Sequence, residues 1–275
     1  MQSSHTQLLR LSQGQLNVLE TCPRKFQHIY FDQLSSPTSP EQQERQNWGS
    51  RFHLLMQQRE MGLPVESLLE EDPQLQGWMT SLVSAAPEVF TTSPESFRQS
   101  EHCRTLNVAE YLLTVIYDLL IADTQRAQIL DWKTYLRPKL RRQLEKDWQT
   151  RLYLYVMAET SDYLPEQISM TYWFVQSQGQ PKSLKFTYDT KRHEQTRQDL
   201  TRLLTQLTNW LQRYQDTGED FPQVRQSLGR CQKCNFALTC QRSPESMALA
   251  RHATLSAASS SEWVLNLADI QEVSI

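Results

Sequence analysis

The sequence has few glycines, no nucleotide-binding loop and no long apolar run. Only seven of its 275 residues are glycine, and no GxxxxGK[ST] segment occurs, which excludes a nucleotide-driven motor of that type. No apolar run approaches membrane-spanning length, and the N-terminal MQSSHTQLLR lacks the basic-then-apolar order of a secretory signal, so we expect a cytoplasmic protein with no membrane contact. The formal net charge of −3 excludes a general polycation, and any phosphate-binding surface must therefore be local.

Length and element order favour one folded domain. A chain of 275 residues, 39% of them hydrophobic, is long enough for one large α/β domain. Predicted helices are followed by three strands, a helix and two strands, which indicates a mixed sheet flanked by helices. We assign residues 1–240 to a single domain and residues 241–275, which contain an ASSSE tract, to a loosely attached tail.

Local signals set the limits of these elements. Ser12 is predicted to cap a first helix that ends near Cys22, and Pro23 to begin a second. Asn107 is predicted to turn the chain between the first two strands. The other predicted elements are a helix over 41–60, strands over 97–106, 109–122 and 127–132, a helix over 144–160, strands over 167–176 and 182–188, and a helix over 192–215.

The segment YDLLIADTQRAQILDWKT has the most promising group of candidate catalytic residues. Two apolar runs flank the polar turn DTQR, which predicts a β-hairpin. Because strand side chains alternate in direction, Asp131 and Lys133 should share one face, with Trp132 on the other. If Asp118 faces them, two carboxylates and a lysine converge and can hold a divalent metal beside a cationic group. The alternative is two surface aspartates and a solvated lysine, which chance alone produces at this loose spacing.

Further candidate groups lie on other predicted elements. Gly49 and His53 are four residues apart and share a helix face, as do Gln149 and Tyr153. A lone helical histidine is more often a surface or capping residue than a metal ligand. Glu101 precedes the hairpin, and it is either an additional acidic group of the site or an exposed strand residue.

The stretch after Lys133 is the most basic in the sequence. A run of charge is usually a solvated face, but its position next to the hairpin gives phosphate contact equal standing. The basic residues assigned to this candidate surface are Arg137, Lys139, Arg141, Arg142 and Lys146.

Four of the five cysteines form a candidate metal site. Cys231, Cys234 and Cys240 have C-x2-C-x5-C spacing, and Cys22 lies far upstream. Stable disulfides are the least favoured interpretation in a cytosolic protein, and a zinc site with thiolate ligands is a plausible one. Cys103 is left over and is predicted to be a small buried hydrophobic residue on a strand.

Taken in order, these motifs resemble the PD-(D/E)XK nuclease superfamily. The resemblance covers about residues 11–240 and is closest to the RecB-like branch with an iron–sulfur cluster. That branch includes the nuclease domain of AddB helicase-nucleases and the CRISPR-associated nucleases of spacer acquisition. The matching residues are Gly49-x-x-x-His53, Asp118, Asp131-Trp132-Lys133, Gln149-x-x-x-Tyr153, the CPRKF at Cys22 and the three later cysteines. One position departs, because Val115 stands where that branch usually has glycine.

The resemblance implies a restriction-endonuclease-like core and a metal-dependent deoxyribonuclease, which we expect to be an exonuclease. Lys133 would position the nucleophile and stabilise the transition state, while Gln149 and Tyr153 would orient Lys133 or the DNA strand. The basic stretch would hold flanking phosphates. The implied ligands of Mg2+ or Mn2+ are His53, Asp118, Asp131 and the backbone carbonyl of Trp132.

The resemblance also implies an iron–sulfur cluster and a biological setting. Residues 11–34 and 225–240 would meet at the cluster, with structural zinc as the alternative. DNA with single-stranded character is the implied substrate, and a separate helicase or repair protein is a candidate partner in DNA repair, recombination or CRISPR-like DNA processing. The implied ligands of one [4Fe-4S] cluster are Cys22, Cys231, Cys234 and Cys240.

Two interpretations from other functional classes compete with a nuclease. One is a non-catalytic DNA-binding or scaffold protein that retains the nuclease fold and the metal cluster. The other is a redox protein with a metal cluster and no role with nucleic acid. The intact D…DxK set argues against the first, and the basic stretch beside Lys133 argues against the second.

Overall fold

A computed structural model describes residues 8–35, 38–91, 95–135, 139–176 and 180–242. The chain divides into two units, Met1–Pro222 and Gln223–Ile275, and the candidate catalytic residues all belong to the first. The predicted single domain over 1–240 and the predicted meeting of 11–34 with 225–240 stay predictions. The predicted tail lies, from residue 243 onward, outside the described residues.

A six-stranded mixed sheet forms the centre of the first unit. Its strands are β1 (Leu9–Leu11), β2 (Phe97–Val108), β3 (Tyr111–Ala122), β4 (Ala127–Lys133), β5 (Ile168–Phe174) and β6 (Lys182–Thr187). Strand β3 pairs with β2 along its length, while β1 pairs in parallel with its start and β4 antiparallel with its end. Strand β5 is parallel to β4 and antiparallel to β6.

Helices surround this sheet in sequence order. They are α1 (Gln13–Thr21), α2 (Pro23–Tyr30), α3 (Pro40–Glu60), α4 (Glu66–Glu70), α5 (Pro73–Ala85), α6 (Pro87–Phe90), α7 (Arg141–Lys146), α8 (Trp148–Glu159) and α9 (Thr190–Thr217). Pro23 begins α2 as predicted, because its fixed φ and missing N–H suit the first helical position. None of the described helices has the length and apolar character required to cross a membrane.

Two apolar clusters cover the two faces of the sheet. The larger cluster contains Ile129 of β4 and side chains of α1, α2, α8 and α9. The smaller cluster contains Leu130 and Trp132 of β4 and side chains of α3 and α5. Since side chains alternate along a strand, these two sets lie on opposite faces. The predicted α/β fold, a mixed sheet flanked by helices, is therefore confirmed.

Three local predictions were wrong or incomplete. The turn predicted at Asn107 lies two residues later, because Ala109 adopts a left-handed φ of 52° and β2 continues to Val108. The single helix predicted over 144–160 is two helices, because Asp147 is extended and its carboxylate accepts a hydrogen bond of 3.0 Å from the backbone N–H of Gln149. Strand β1 was not predicted, since three residues are too few for a periodic signal.

Candidate active site

The hairpin of β3 and β4 carries three of the predicted site residues. Its pairing runs from Leu119 opposite Leu130 to Ala122 opposite Ala127. The Asp123 carboxylate then closes the turn by accepting hydrogen bonds of 2.8 and 3.0 Å from backbone N–H groups two and three residues later. The predicted hairpin is thus confirmed, and the predicted catalytic aspartates lie immediately beyond its last bonded pair.

Asp131, Lys133 and Gln149 form a closed triangle of polar contacts. Lys133 Nζ lies 2.5 Å from Asp131 Oδ1 and donates a 3.0 Å hydrogen bond to Gln149 Oε1. Gln149 Nε2 donates a 2.6 Å hydrogen bond to Asp131 Oδ2. The predicted shared face of Asp131 and Lys133 is confirmed, and the Trp132 side chain packs on the opposite face in the smaller cluster. Both oxygens of Asp131 are therefore held by neighbouring side chains.

Burial sets the protonation of this triangle. Asp131 is 1% exposed, and burial raises the pKa of its carboxyl to about 7, although the charge of Lys133 opposes the shift. Burial lowers the pKa of Lys133, but the adjacent Asp131 and Asp118 outweigh that effect and raise it. The lysine is accordingly an ammonium at neutral pH, a fixed positive charge at the end of β4.

Asp118, His53 and the backbone of Trp132 form a second set of contacts beside the triangle. Asp118 Oδ2 accepts a 2.7 Å hydrogen bond from the backbone N–H of Trp132, and Asp118 Oδ1 lies 3.4 Å from His53 Nδ1. His53 Nε2 lies 3.1 Å from the carbonyl oxygen of Trp132. The structure therefore brings together the imidazole, carboxylate and carbonyl that the resemblance named as ligands.

The ring of His53 is held as a cation in this arrangement. Burial lowers the pKa of His53, but the hydrogen bond and charge of Asp118 outweigh burial and raise the pKa to about 9. A doubly protonated ring can donate from both nitrogens, to Asp118 and to the Trp132 carbonyl. A divalent ion that binds here would have to displace this proton.

Gly49 explains how α3 reaches the hairpin. A Cβ atom added at Gly49 would lie 3.3 Å from Thr134 Oγ1, which is tighter than most real contacts. The absence of a side chain lets the helix approach the end of β4, one turn before His53. The predicted Gly49-x-x-x-His53 pair thus consists of a close-approach residue and a functional side chain.

Glu101 of β2 joins the site, which the sequence left open. The candidate metal ligands His53, Glu101 and Asp118 each offer an atom within 4.8 Å of the others, and all three residues are half-buried. Burial raises the pKa of Glu101, with Asp118 adding to the shift and His53 opposing it. Asp131 does not belong to this group of mutually close ligand atoms. The structure thus adds a carboxylate to the expected ligand set.

Tyr153 lies behind the triangle rather than at its surface. It is 3% exposed, and its backbone carbonyl accepts a 3.0 Å hydrogen bond from the hydroxyl of Tyr117. Burial raises the pKa of Tyr153, the charges of Asp131 and Asp118 add to the shift, and a hydrogen bond with Gln149 opposes it. Tyr153 therefore contacts the side chain that holds both Lys133 and Asp131, which suits a positioning residue.

Comparison with known proteins identifies the superfamily. The family model described as the PD-(D/E)XK nuclease superfamily matches residues 10–241, which include every residue of the site described above. The chain belongs to the PD-(D/E)XK nuclease superfamily. Nucleases of this superfamily generally use divalent metals, and the close group of His53, Glu101 and Asp118 is a possible acidic metal site.

Two solved structures are similar to this chain at low sequence identity. One, described as a “Putative exonuclease” from Eubacterium rectale, is 9% identical, with 74% of this chain and 83% of that chain covered and a TM-score of 0.45. Another, described as SSO0001, is 13% identical, with 84% of this chain and 85% of that chain covered and a TM-score of 0.34. No curated protein sequence gave a match.

The basic residues that would contact DNA in a PD-(D/E)XK nuclease differ in availability. Lys139 pairs with Asp147 at 3.0 Å, and Arg141 donates a 2.8 Å hydrogen bond to the carbonyl of Lys185. Arg142 and Lys146 are exposed on α7 and form no ion pair or hydrogen bond with any described residue. The fifth predicted member, Arg137, lies outside the described residues.

The cysteines are thiols and not disulfides. Cys22 is extended between α1 and α2 in the first unit. In the second unit, the backbone N–H of Cys234 donates to the carbonyl of Cys231 at 3.1 Å, and that of Cys240 donates to the carbonyl of Phe236 at 2.9 Å. The predicted cluster, which needs residues of both units, stays a prediction.

Cys103 is exposed, contrary to the prediction that it is buried. It pairs across the sheet with Ile116 of β3, which is 44% exposed. Directly opposite residues on paired strands project from the same face. Both side chains therefore face a part of the sheet that is open to solvent.

Proposed function

We propose that the protein is a deoxyribonuclease that depends on Mg2+ or Mn2+ and hydrolyses phosphodiester bonds of DNA, acting as an exonuclease. The observation that carries the proposal is the contact between two sets of groups at one end of the hairpin. A buried Lys133–Asp131 pair lies beside a histidine and carboxylate that are suited to hold a cation. Both sets fall within the region that matches the nuclease superfamily.

The donor set fits a small divalent cation. Carboxylate and carbonyl oxygens are preferred ligands of Mg2+ and Mn2+, and an imidazole also suits Mn2+. His53 Nε2 and the Trp132 carbonyl oxygen are already 3.1 Å apart, so one ion can contact both after the proton leaves the ring. Once bound, such an ion supplies charge neutralisation at the phosphate and a lower pKa for water. We propose His53, Asp118, Asp131 and the Trp132 carbonyl as its ligands.

Lys133 has the properties of a group that stabilises charge on a reacting phosphate. Its side chain is 18% exposed, so the ammonium reaches the surface, while its stem is enclosed. Two partners, Asp131 and Gln149, hold the ammonium in one position before substrate arrives. A preorganised charge costs little reorganisation when negative charge develops in the transition state. Gln149 acts through Lys133 and Asp131, and we propose it as a positioning residue together with Tyr153.

The substrate and the biological role are proposed more broadly. Arg142 and Lys146 supply exposed positive charge for phosphates that flank the scissile bond, since phosphate contacts position a strand without reading its sequence. We propose DNA with single-stranded character as substrate, and a role in DNA repair, recombination or CRISPR-like DNA processing, with a separate helicase or repair protein as partner. Arginine and lysine side chains in the region 139–142 can extend the same surface.

The proposal retains a [4Fe-4S] cluster, with structural zinc as the alternative. Its proposed ligands are Cys22, Cys231, Cys234 and Cys240. Support comes from the CxxC spacing and from the thiol state of all four residues.

End-labelled single- and double-stranded DNA tests the proposal directly. The wild type should release labelled products with Mg2+ or Mn2+ and none in chelator. Asp118→Ala and Asp131→Ala should each lower the rate at least roughly a hundredfold while DNA binding is retained, because loss of charge stabilisation at such sites costs several kcal/mol. Glu110→Gln, at an exposed turn residue, is the matched control. Cleavage that persists in chelator, or a normally active Asp131→Ala protein, would overturn the assignment.

A further inference from the structure

We propose that Glu101 is an additional ligand of the divalent cation, so that β2 takes part in the metal site together with α3 and the hairpin. The inference rests on the proposed function and deepens it by naming a residue outside the motifs of the superfamily resemblance. Three independent features of Glu101 support it: the position of its carboxylate, its lack of partners and its backbone conformation.

The position of the carboxylate suits a shared cation. Glu101, His53 and Asp118 each present a ligand atom within 4.8 Å of the others. Ligands of one Mg2+ or Mn2+ ion are separated by distances of this order, because each lies about 2 Å from the ion. Asp131 instead has one oxygen 2.5 Å from Lys133 Nζ and the other 2.6 Å from Gln149 Nε2. Glu101 is therefore better placed than Asp131 to share an ion with His53.

The carboxylate of Glu101 also lacks a partner where its neighbours have one. Asp118 accepts a hydrogen bond from the backbone of Trp132 and contacts His53. Glu101 forms no hydrogen bond or ion pair with any described residue, although it is half-buried and close to the Asp118 carboxylate. Two nearby carboxylates repel each other unless a cation lies between them. A shared ion would turn this repulsion into coordination.

The backbone of Glu101 is strained in a manner that a structural role does not explain. Its φ is 49°, and it is the one non-glycine residue with positive φ that lies inside a strand of the described sheet. The β2–β3 ladder keeps the same register on both sides of it, from Ser100 opposite Leu119 to His102 opposite Tyr117. Glycine would adopt this conformation with less strain. A glutamate that retains it has a side chain with a function to perform.

Metal binding by Glu101→Gln tests the inference. This variant removes the charge and keeps the shape, and Glu110→Gln removes a charge from the exposed turn of the same hairpin. The concentration of free Mn2+ is followed by electron paramagnetic resonance during titration of the metal-free protein. We expect the dissociation constant to rise at least tenfold in Glu101→Gln and to stay unchanged in Glu110→Gln. Thermal unfolding with and without Mn2+ gives a second measure, because a ligand that binds only the folded state raises the midpoint.

The outcomes separate this inference from the proposed function. A Glu101→Gln protein that binds Mn2+ as tightly as the wild type overturns the inference and leaves the nuclease assignment intact. A lower metal-free midpoint with an unchanged Mn2+-induced shift also overturns it, since Glu101 would then be structural. A wild type that neither binds Mn2+ nor cleaves DNA overturns the proposed function and the inference together. If Glu101→Gln does not fold, Glu101→Gly replaces it, because glycine suits the observed φ.

Discussion

Replacing Lys133 by methionine should change how stability depends on pH. Lys133 Nζ lies 2.5 Å from Asp131 Oδ1, and Asp131 is 1% exposed. The substitution keeps much of the apolar stem but leaves Asp131 with Gln149 as its hydrogen-bonding partner. An unpaired buried carboxylate is costly, so we expect Asp131 to take up a proton in the folded variant.

The magnitude follows from proton binding in the folded and unfolded states. The unfolded chain has an aspartate pKa of about 3.9, so Asp131 is ionised there at neutral pH. A folded state that binds one more proton loses about 1.4 kcal/mol of unfolding free energy per pH unit. In the wild type this loss ends once Asp131 ionises, at a pKa of about 7. In Lys133→Met it should continue, which amounts to roughly 3 kcal/mol relative to wild type between pH 7 and 9.

Urea unfolding at pH 7, 8 and 9 in chelator measures this difference. Lys182→Met removes an exposed lysine from β6 and is the matched control. Adding Asp131→Asn to Lys133→Met removes the titrating carboxyl and should abolish the extra pH dependence, while DNA cleavage stays at least roughly a hundredfold low. If Lys133→Met follows the wild-type pH dependence, the lysine does not hold Asp131 ionised and the reasoning is refuted.

Three further predictions concern DNA, the cysteines and metal binding. Arg142→Glu with Lys146→Glu should weaken DNA binding and flatten the plot of log affinity against log salt by about 0.7 to 0.9 for each phosphate that is no longer neutralised; an unchanged slope would mark a solvated face. Cys22→Ala should bleach the brown, anaerobically purified protein and Cys103→Ala should not, whereas metal analysis that finds zinc without iron would replace the cluster by a structural zinc site. Because the pKa of His53 is raised to about 9, Mn2+ affinity should rise about tenfold per pH unit from 7 toward 9 in titrations at fixed salt, and a pH-independent affinity would contradict proton displacement.

The hairpin could be predicted from sequence because its information is local. The alternation of side chains along one strand determines that Asp131 and Lys133 share a face and that Trp132 does not. Two apolar runs around a polar turn determine that the strands pair. The structure confirms both features, and the contacts of Gln149 with Lys133 and Asp131 agree with the role that the resemblance implied.

Glu101 could not be placed because its partner depends on a turn that the sequence located incorrectly. Moving a hairpin turn by one residue moves every cross-strand partner by two. With the turn predicted at Asn107, Glu101 does not face Asp118. The observed turn at Ala109 places Glu101 between the pairs formed by Ser100 and His102, directly across from Asp118. An error of two residues in a loop thus concealed a candidate metal ligand.

The approach of α3 to the hairpin is also invisible in the sequence, and it explains why Trp132 lies between the two aspartate contacts. The Trp132 side chain packs in the smaller cluster with Phe52 of α3, which fixes the helix on that face of the sheet. Gly49 lets the same helix come close to the end of β4. The backbone of Trp132 then meets both His53 and Asp118, at 3.1 and 2.7 Å. One residue of β4 therefore holds the helix by its side chain and the candidate metal ligands by its backbone, while its two neighbours form the ion pair on the other face.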